Sequence, residues 1–316
     1  MHKKLYSAFY KNAEIKLHYY EIKNDLQPIV MIHAQGVDST SYANVFKALS
    51  KKYHVYAVDC YGHGKSLHDA EKYNIKDISE AISQFIREVV KDKVVLVGHS
   101  SGGLIAAYIA ATTELCSKLY LEDPPFFASQ GERRFQTFNY VDLSTICHRF
   151  NNQLDEKDFV LYYFSNQYAW NFFPEKSREK IKEKLTAAAK RYREKHPDKN
   201  LKVPFWPKAA LSGFCGMNDY DPLFGEAFYC DSFHSDIPHK EILRNIQCET
   251  VFMKAKTNKN DDGLLLAALD EEDLEQVLQL NPNCSSVRFD CGHGIHIEKE
   301  KEFLRVLILQ KSLQRK

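Results

Sequence analysis

Five near-continuous apolar runs constrain this chain more than any other feature. Pro28 to His33, Val55 to Asp59, Val94 to Gly98, Lys118 to Leu121 and Thr250 to Met253 lack the alternation of a half-exposed strand. Strands covered on both faces read this way. Ser286 to Phe289 is a weaker sixth run. Helical patterns lie between them. Ile75, Ile78, Ile82, Phe85 and Val89 recur at steps of three and four and build one apolar face. Leu104 to Ala111 is apolar all round, as a helix pressed against a sheet would be, and Leu274, Val277, Leu278 and Phe303 to Leu309 supply later helices. Tyr6 to Ile22 reads as a β-hairpin turning near Lys11 and Asn12. The pattern predicts an α/β fold: a mostly parallel sheet of about eight strands, right-handed crossovers and helices on both faces.

The alternation stops after Leu121 and resumes near Thr250. The chain is therefore expected to comprise a core in two parts, 1–123 and 241–316, with a mostly helical insertion over 124–240 seated on the sheet. That insertion is rich in aromatic residues, and Lys176 to Lys195 carries both charge signs with Ile181, Leu185, Ala188 and Tyr192 along one face. An amphipathic helix with a solvated charged side fits that stretch. At 316 residues the chain buries enough surface to fold without disulfides or metal.

Charge and cysteine usage exclude several classes. Lys and Arg number 43 against 42 Asp and Glu, a net charge of +1, so no basic field draws in nucleic acid. The eight cysteines are scattered without a C-x-x-C pair, so zinc ribbons and thioredoxin motifs are absent. The start of the sequence lacks the apolar run of a signal peptide, and no stretch is long and apolar enough to span a membrane. The expectation is a cytoplasmic protein with reduced thiols. His33, His63, His99 and His293 are expected to be kept apart by the sheet, and no metal or other cofactor is expected.

Gly98-His99-Ser100-Ser101-Gly102 follows one apolar run and precedes the apolar helix. That context is what a nucleophile elbow requires: a turn so tight that small residues must flank it, with a serine hydroxyl held above the sheet. A serine needs a base within hydrogen-bond reach. His293, between two glycines after the last predicted strand, is the choice among 13 histidines. His296 reads as a structural or pocket residue, His33 as a strand-end residue bonding backbone, and His63 as part of a Gly-His-Gly turn. An oxyanion needs two N–H donors. Ser101 can offer one and Gln35, in the loop His33-Ala34-Gln35-Gly36, the other; the alternative is an ordinary strand-to-helix loop capped by Asp38 or Ser39.

These motifs, with Asp59-Cys60-Tyr61-Gly62-His63-Gly64-Lys65-Ser66 and Gly292-His293, resemble the α/β-hydrolase superfamily in its capped, serine-dependent branch. Ala34 departs from the glycine usual there. The resemblance implies a triad of serine, acid and histidine. Most members carry the acid after the strand matching Val251 to Met253, where this chain is basic until Asp261 and Asp262. A minority carry it one strand earlier, where Glu122 and Asp123 stand. Asp123 is chosen as the first residue beyond the strand, with Asp262, Asp261 and Glu122 as alternatives.

The resemblance implies a cofactor-independent hydrolase acting on a small ester, thioester, lactone or related acyl substrate with an apolar or aromatic portion. Phe126, Phe127, Tyr162, Tyr163, Trp170, Phe173 and Trp206 are candidates to line its site, though most are expected in the core of the insertion. Carbon–carbon hydrolases, perhydrolases and hydroxynitrile lyases share the serine, and a small-molecule receptor keeping the same fold and triad is the reading from another class.

Overall fold

A computed structural model of the chain describes residues 4–206, 211 and 213–309; residues 1–3, 207–210, 212 and 310–316, including the first three of the basic N-terminal segment, lie outside it. Eight strands form one sheet: β1 (Leu5–Lys11), β2 (Lys16–Ile22), β3 (Pro28–Ile32), β4 (His54–Val58), β5 (Val94–His99), β6 (Cys116–Glu122), β7 (Thr250–Lys254) and β8 (Cys284–Arg288). Their order is β1-β2-β4-β3-β5-β6-β7-β8. β1 pairs antiparallel with β2 and β2 with β4; every other pair is parallel. The hairpin turns over Asn12 to Ile15, slightly beyond the expected point, with Asn12 Oδ1 accepting from both Glu14 N–H and Ile15 N–H.

Burial explains why some runs were clear and others faint. β3, β5 and β7 are buried along their whole length. β8, the weak run, is an edge strand with no fully buried residue. Only covered strands must be apolar on both faces. The covering helices include α1 (Ala43–Leu49), α2 (Ile75–Phe85) and α3 (Ser101–Thr112). Asn74 caps α2 by accepting from Asp77 N–H, and Ile75, Ile78, Ile82 and Phe85 form its buried face. Val89 lies just past it in a wider turn that ends at Lys91 with φ 61°.

Between β6 and β7 the chain forms helices at Thr145–Asn151, Phe159–Asn166, Glu175–Lys195, Pro222–Tyr229 and His239–Asn245. On the long Glu175–Lys195 helix only Ala189 is fully buried, while Ile181, Leu185 and Tyr192 are half-buried against the core. Most of its charges face water, but Arg193 turns inward and pairs with Asp158 at 2.6 Å. Trp170, Trp206 and Phe164 pack on one another with ring centroids 4.8–5.4 Å apart. No helix among the described residues is long and apolar enough to cross a membrane.

Because β3, β5, β6, β7 and β8 run parallel and adjacent, their C-terminal ends share one edge of the sheet. The strand ends and loops at that edge carry His33 to Gly36, Ser100, Asp123, Lys254 and His293, the place where open α/β sheets gather their ligands.

Candidate active site

Ser100 is the single residue between β5 and α3, with φ 55° and ψ −121°. That region is costly for a residue with a side chain, about 1–3 kcal/mol, and persists only where the surroundings enforce it. They do so at both of its backbone ends. Ser100 N–H donates to the Glu122 carbonyl at 2.9 Å, and the Ser100 carbonyl accepts from Gly103 N–H at 2.8 Å. The crossing of strand and helix is close enough that glycine is obligatory. A Cβ on Gly98 would sit 2.3 Å from the Gly102 carbonyl oxygen, and one on Gly102 would sit 2.4 Å from the carbonyl oxygens of Ile32 and His33. Ser101 opens α3, so its N–H has no acceptor within the helix and lies at the positive end of the dipole.

His293 arrives from the loop after β8 and is half-exposed. Its Nδ1 lies 2.8 Å from Asp123 Oδ2. An ionised carboxylate only accepts, so Nδ1 carries the proton and Nε2 is left with its lone pair. Asp123 is fully buried with φ 47°. It is braced across to β7: its N–H donates to the Met253 carbonyl at 2.9 Å, and Oδ1 accepts from Ala255 N–H at 3.1 Å.

The neighbouring Glu122 serves a different partner. Its Oε1 accepts from both the backbone N–H and Nδ1 of His296, each at 2.8 Å. Successive residues at a strand end point opposite ways, so Asp123 meets His293 while Glu122 holds His296 at the start of the short helix Ile295–Glu298. Burial alone would raise the Glu122 pKa, but the His296 and His99 imidazoles outweigh it and draw it down to about 2. His99 donates from Nε2 to the His293 carbonyl at 3.0 Å, and burial pushes its pKa down to about 3, leaving it neutral. Asp261 and Asp262 are exposed on the β7 side; Asp262 takes a long hydrogen bond from Asn260 at 3.5 Å and neither aspartate bonds His293.

The loop after β3 is tied down by histidines. His33 donates from Nδ1 to the Ala34 carbonyl at 2.8 Å, and its Nε2 accepts from Cys60 N–H at 2.9 Å. His63 donates to the Tyr61 carbonyl and accepts from Gly36 N–H at 3.1 Å. The Gly36 N–H is thereby spent on His63. The Gln35 side chain donates to the Tyr220 hydroxyl at 2.9 Å. Asp38 caps the following turn by accepting from Thr40 N–H, so that expectation coexists with the functional one. The expected separation of the histidines does not hold. Rings of His33 and His63 lie 4.9 Å apart because the adjacent strands β3 and β4 end side by side, and those of His99 and His293 lie 4.6 Å apart because the loop after β8 reaches back past β7 and β6 to the end of β5. Among the described residues His99, Glu122 and His296 bring three ligand-type atoms within 4.8 Å; Glu122 Oε1 and His296 Nδ1 bond each other, while His99 Nδ1, Glu122 Oε2 and His296 Nε2 are buried without a hydrogen-bond partner.

Ser100, Ser101, Gln35 and His293 all line one cavity of about 380 Å³. Its walls are mostly apolar, with Phe138, Leu143, Phe172, Phe228 and Leu266 among them. Of the aromatic candidates from the sequence only Tyr163 lines it; Trp170, Phe173 and Trp206 pack into the insertion's own core, where large flat rings bury the most area against one another. Asp142 is a buried acid in the wall. Its Oδ2 accepts from the Tyr163 hydroxyl and its Oδ1 from Tyr168 N–H, yet burial pushes its pKa up to about 6. A second cavity of about 400 Å³ shares Gln35, Phe138, Tyr163 and His293 and runs on to His99, His296 and Glu298. His293 therefore borders both.

A family model described as Alpha/beta hydrolase family matches residues 29–306. The chain belongs to that family. Among curated relatives it is 31% identical over 118 residues to a pimeloyl-[acyl-carrier protein] methyl ester esterase of Vibrio cholerae, covering 37% of this chain and 44% of that protein. It is 32% identical over 95 residues to an (E)-2-((N-methylformamido)methylene)succinate hydrolase of Acinetobacter baylyi, covering 30% of this chain and 36% of that one. The chain spans about half or less of the length of the curated relatives it matches. An esterase from Exiguobacterium antarcticum superposes with a TM-score of 0.65 at 17% identity, covering 96% of this chain and 98% of the other, a likeness of fold.

Proposed function

We propose that this protein is a cofactor-independent serine hydrolase that cleaves a small ester, thioester, lactone or related acyl substrate through an acyl-enzyme. The observation that carries this reading is the His293 Nδ1 to Asp123 hydrogen bond at 2.8 Å beside a cavity that also takes Ser100, Ser101 and Gln35 in its wall. Ser100 Oγ attacks the carbonyl carbon while His293 Nε2 takes its proton. The N–H groups of Ser101 and Gln35 receive the charge that develops on the oxygen. His293 then gives the proton to the leaving group, and water enters by the reverse of the same steps. Asp123 fixes the tautomer and stabilises the imidazolium.

The relatives named esterase and hydrolase support the reaction class. The apolar wall supports a substrate with an apolar or aromatic portion, and the helical stretch 124–240 acts as the cap that shapes it. The enzyme works in the cytoplasm. A panel of p-nitrophenyl esters tests the proposal: Ser100→Ala is expected to lose turnover on the order of 10⁶-fold, as triad deletions do. A variant that keeps the wild-type rate overturns it.

A further inference from the structure

Lys254, the last residue of β7, is 1% exposed. Lysine is almost never buried to this degree unless paired. Its Nζ donates to the Ala255 carbonyl at 2.5 Å and to Thr257 Oγ1 at 3.0 Å, and it stands 3.9 Å from Asp123 Oδ1. The two peptide groups flanking Ala255 serve the two charges: the Ala255 N–H donates to Asp123 and the Ala255 carbonyl accepts from Lys254. The Asp123 carboxylate thus has His293 on one oxygen and, on the other, a backbone N–H with an ammonium behind it.

We infer that Lys254 is a positioning residue for the triad, a buried ammonium that holds Asp123 ionised toward His293 and weakens the basicity of that imidazole. The inference rests on the triad reading proposed above. In the resting site a neutral imidazole offers no charge to a carboxylate removed from water, and Lys254 supplies the balancing one. When His293 takes the serine proton, imidazolium and ammonium flank the same carboxylate. The second cation then opposes protonation of the first, so His293 remains a base to lower pH than a histidine with Asp123 alone.

The charged and titratable groups around this unit are few. Asp123 faces His293 from β6 and His99 faces it from β5, with the Glu122–His296 pair behind His99. Glu298 faces the same loop, accepting from Gly292 N–H at 3.0 Å, the buried Cys291 thiol of that loop lies within the field of Asp123, and Asp142 stands in the cavity wall. Beyond Lys254, Glu271 accepts from Thr257 Oγ1 at 3.4 Å and is itself paired with Arg288 at 2.7 Å. Among the described residues Lys254 is the one lysine or arginine paired with Asp123.

The test is Lys254→Gln, whose amide can still donate to Ala255 and Thr257 but carries no charge. The acidic limb of kcat/KM is expected to move to higher pH, on the order of one unit. The NMR titration of the His293 ring is expected to move the same way. Lys254→Arg keeps the limb where the wild type has it. If the glutamine variant does not fold, Lys254→Met carries the same comparison. A limb and a titration that stay in place, or move to lower pH, overturn the inference. The ring titration needs no turnover, so an inactive wild type would sink the hydrolase reading while this assignment is still decided.

Discussion

At the scale of single residues, four acids are candidates for the partner of His293 and a fifth stands in the cavity wall, and their surroundings differ. Asp123 faces His293, Glu122 faces His296, Asp142 lies in the cavity wall, and Asp261 and Asp262 are solvent-exposed. The roles can be separated by substitution. Asp123→Asn replaces an acceptor with a group that also donates, favouring the wrong imidazole tautomer, and is expected to lower kcat by roughly 10⁴-fold. Asp262→Asn, remote from that ring, is expected to stay within twofold of the wild type. Rates on one p-nitrophenyl ester check both, and equal losses would remove Asp123 from its proposed role.

At the scale of elements, the elbow depends on β3, β5 and α3 crossing at van der Waals limits. Gly102→Ala drives a Cβ to 2.4 Å from two β3 carbonyl oxygens, and β3 is buried along its length and cannot shift. A loss of more than about 4 kcal/mol, or failure to accumulate as soluble protein, is expected. Gly131→Ala provides the contrast. Its φ is 63° but nothing lies within 4 Å of the added methyl, so the cost is the backbone strain alone, about 1 kcal/mol. Urea midpoints separate the two cases. A small effect at Gly102 would mean the crossing is looser than its geometry.

At the scale of the whole molecule, buried acids and histidines link stability to pH with opposite signs. Asp142 keeps its proton in the folded state to a pKa of about 6, whereas an ordinary aspartate releases it near 3.8. Between those values the folded state binds more protons than the unfolded one, so this group's contribution falls as pH rises through the window. His99 works the other way. Burial holds its folded pKa at about 3 against the usual 6.5, so the unfolded state binds the extra proton and stability falls as pH drops. The two offset each other between about pH 4 and 6. Asp142→Asn removes one of them. Relative to the wild type, that variant is expected to gain about 1 kcal/mol more stability at pH 7.5 than at pH 5. Urea titrations at the two pH values read the difference directly, and equal effects at both would show that Asp142 is already ionised at pH 5 in the folded state.

The covered strands, the helices between them and the serine turn were legible in the sequence because each is set by neighbours along the chain. A strand buried on both faces must be apolar throughout, an amphipathic helix repeats at 3.6 residues, and a tight strand–helix turn needs glycine at Gly98 and Gly102 whatever lies elsewhere. Ser100 and His293 followed from such local signals. Asp123 could be chosen among four acids by counting to the first residue past its strand, but the left-handed backbone turn and the brace from Ala255, 132 residues away, that aim it are not visible along the chain. Lys254 looked like an ordinary basic residue, and the aromatic residues that line the cavity could not be told from those packed in the insertion. Charge pairing, side-chain direction at strand ends and the lining of a cavity depend on which distant elements meet, and that is decided only when the sheet closes and the insertion settles over its edge.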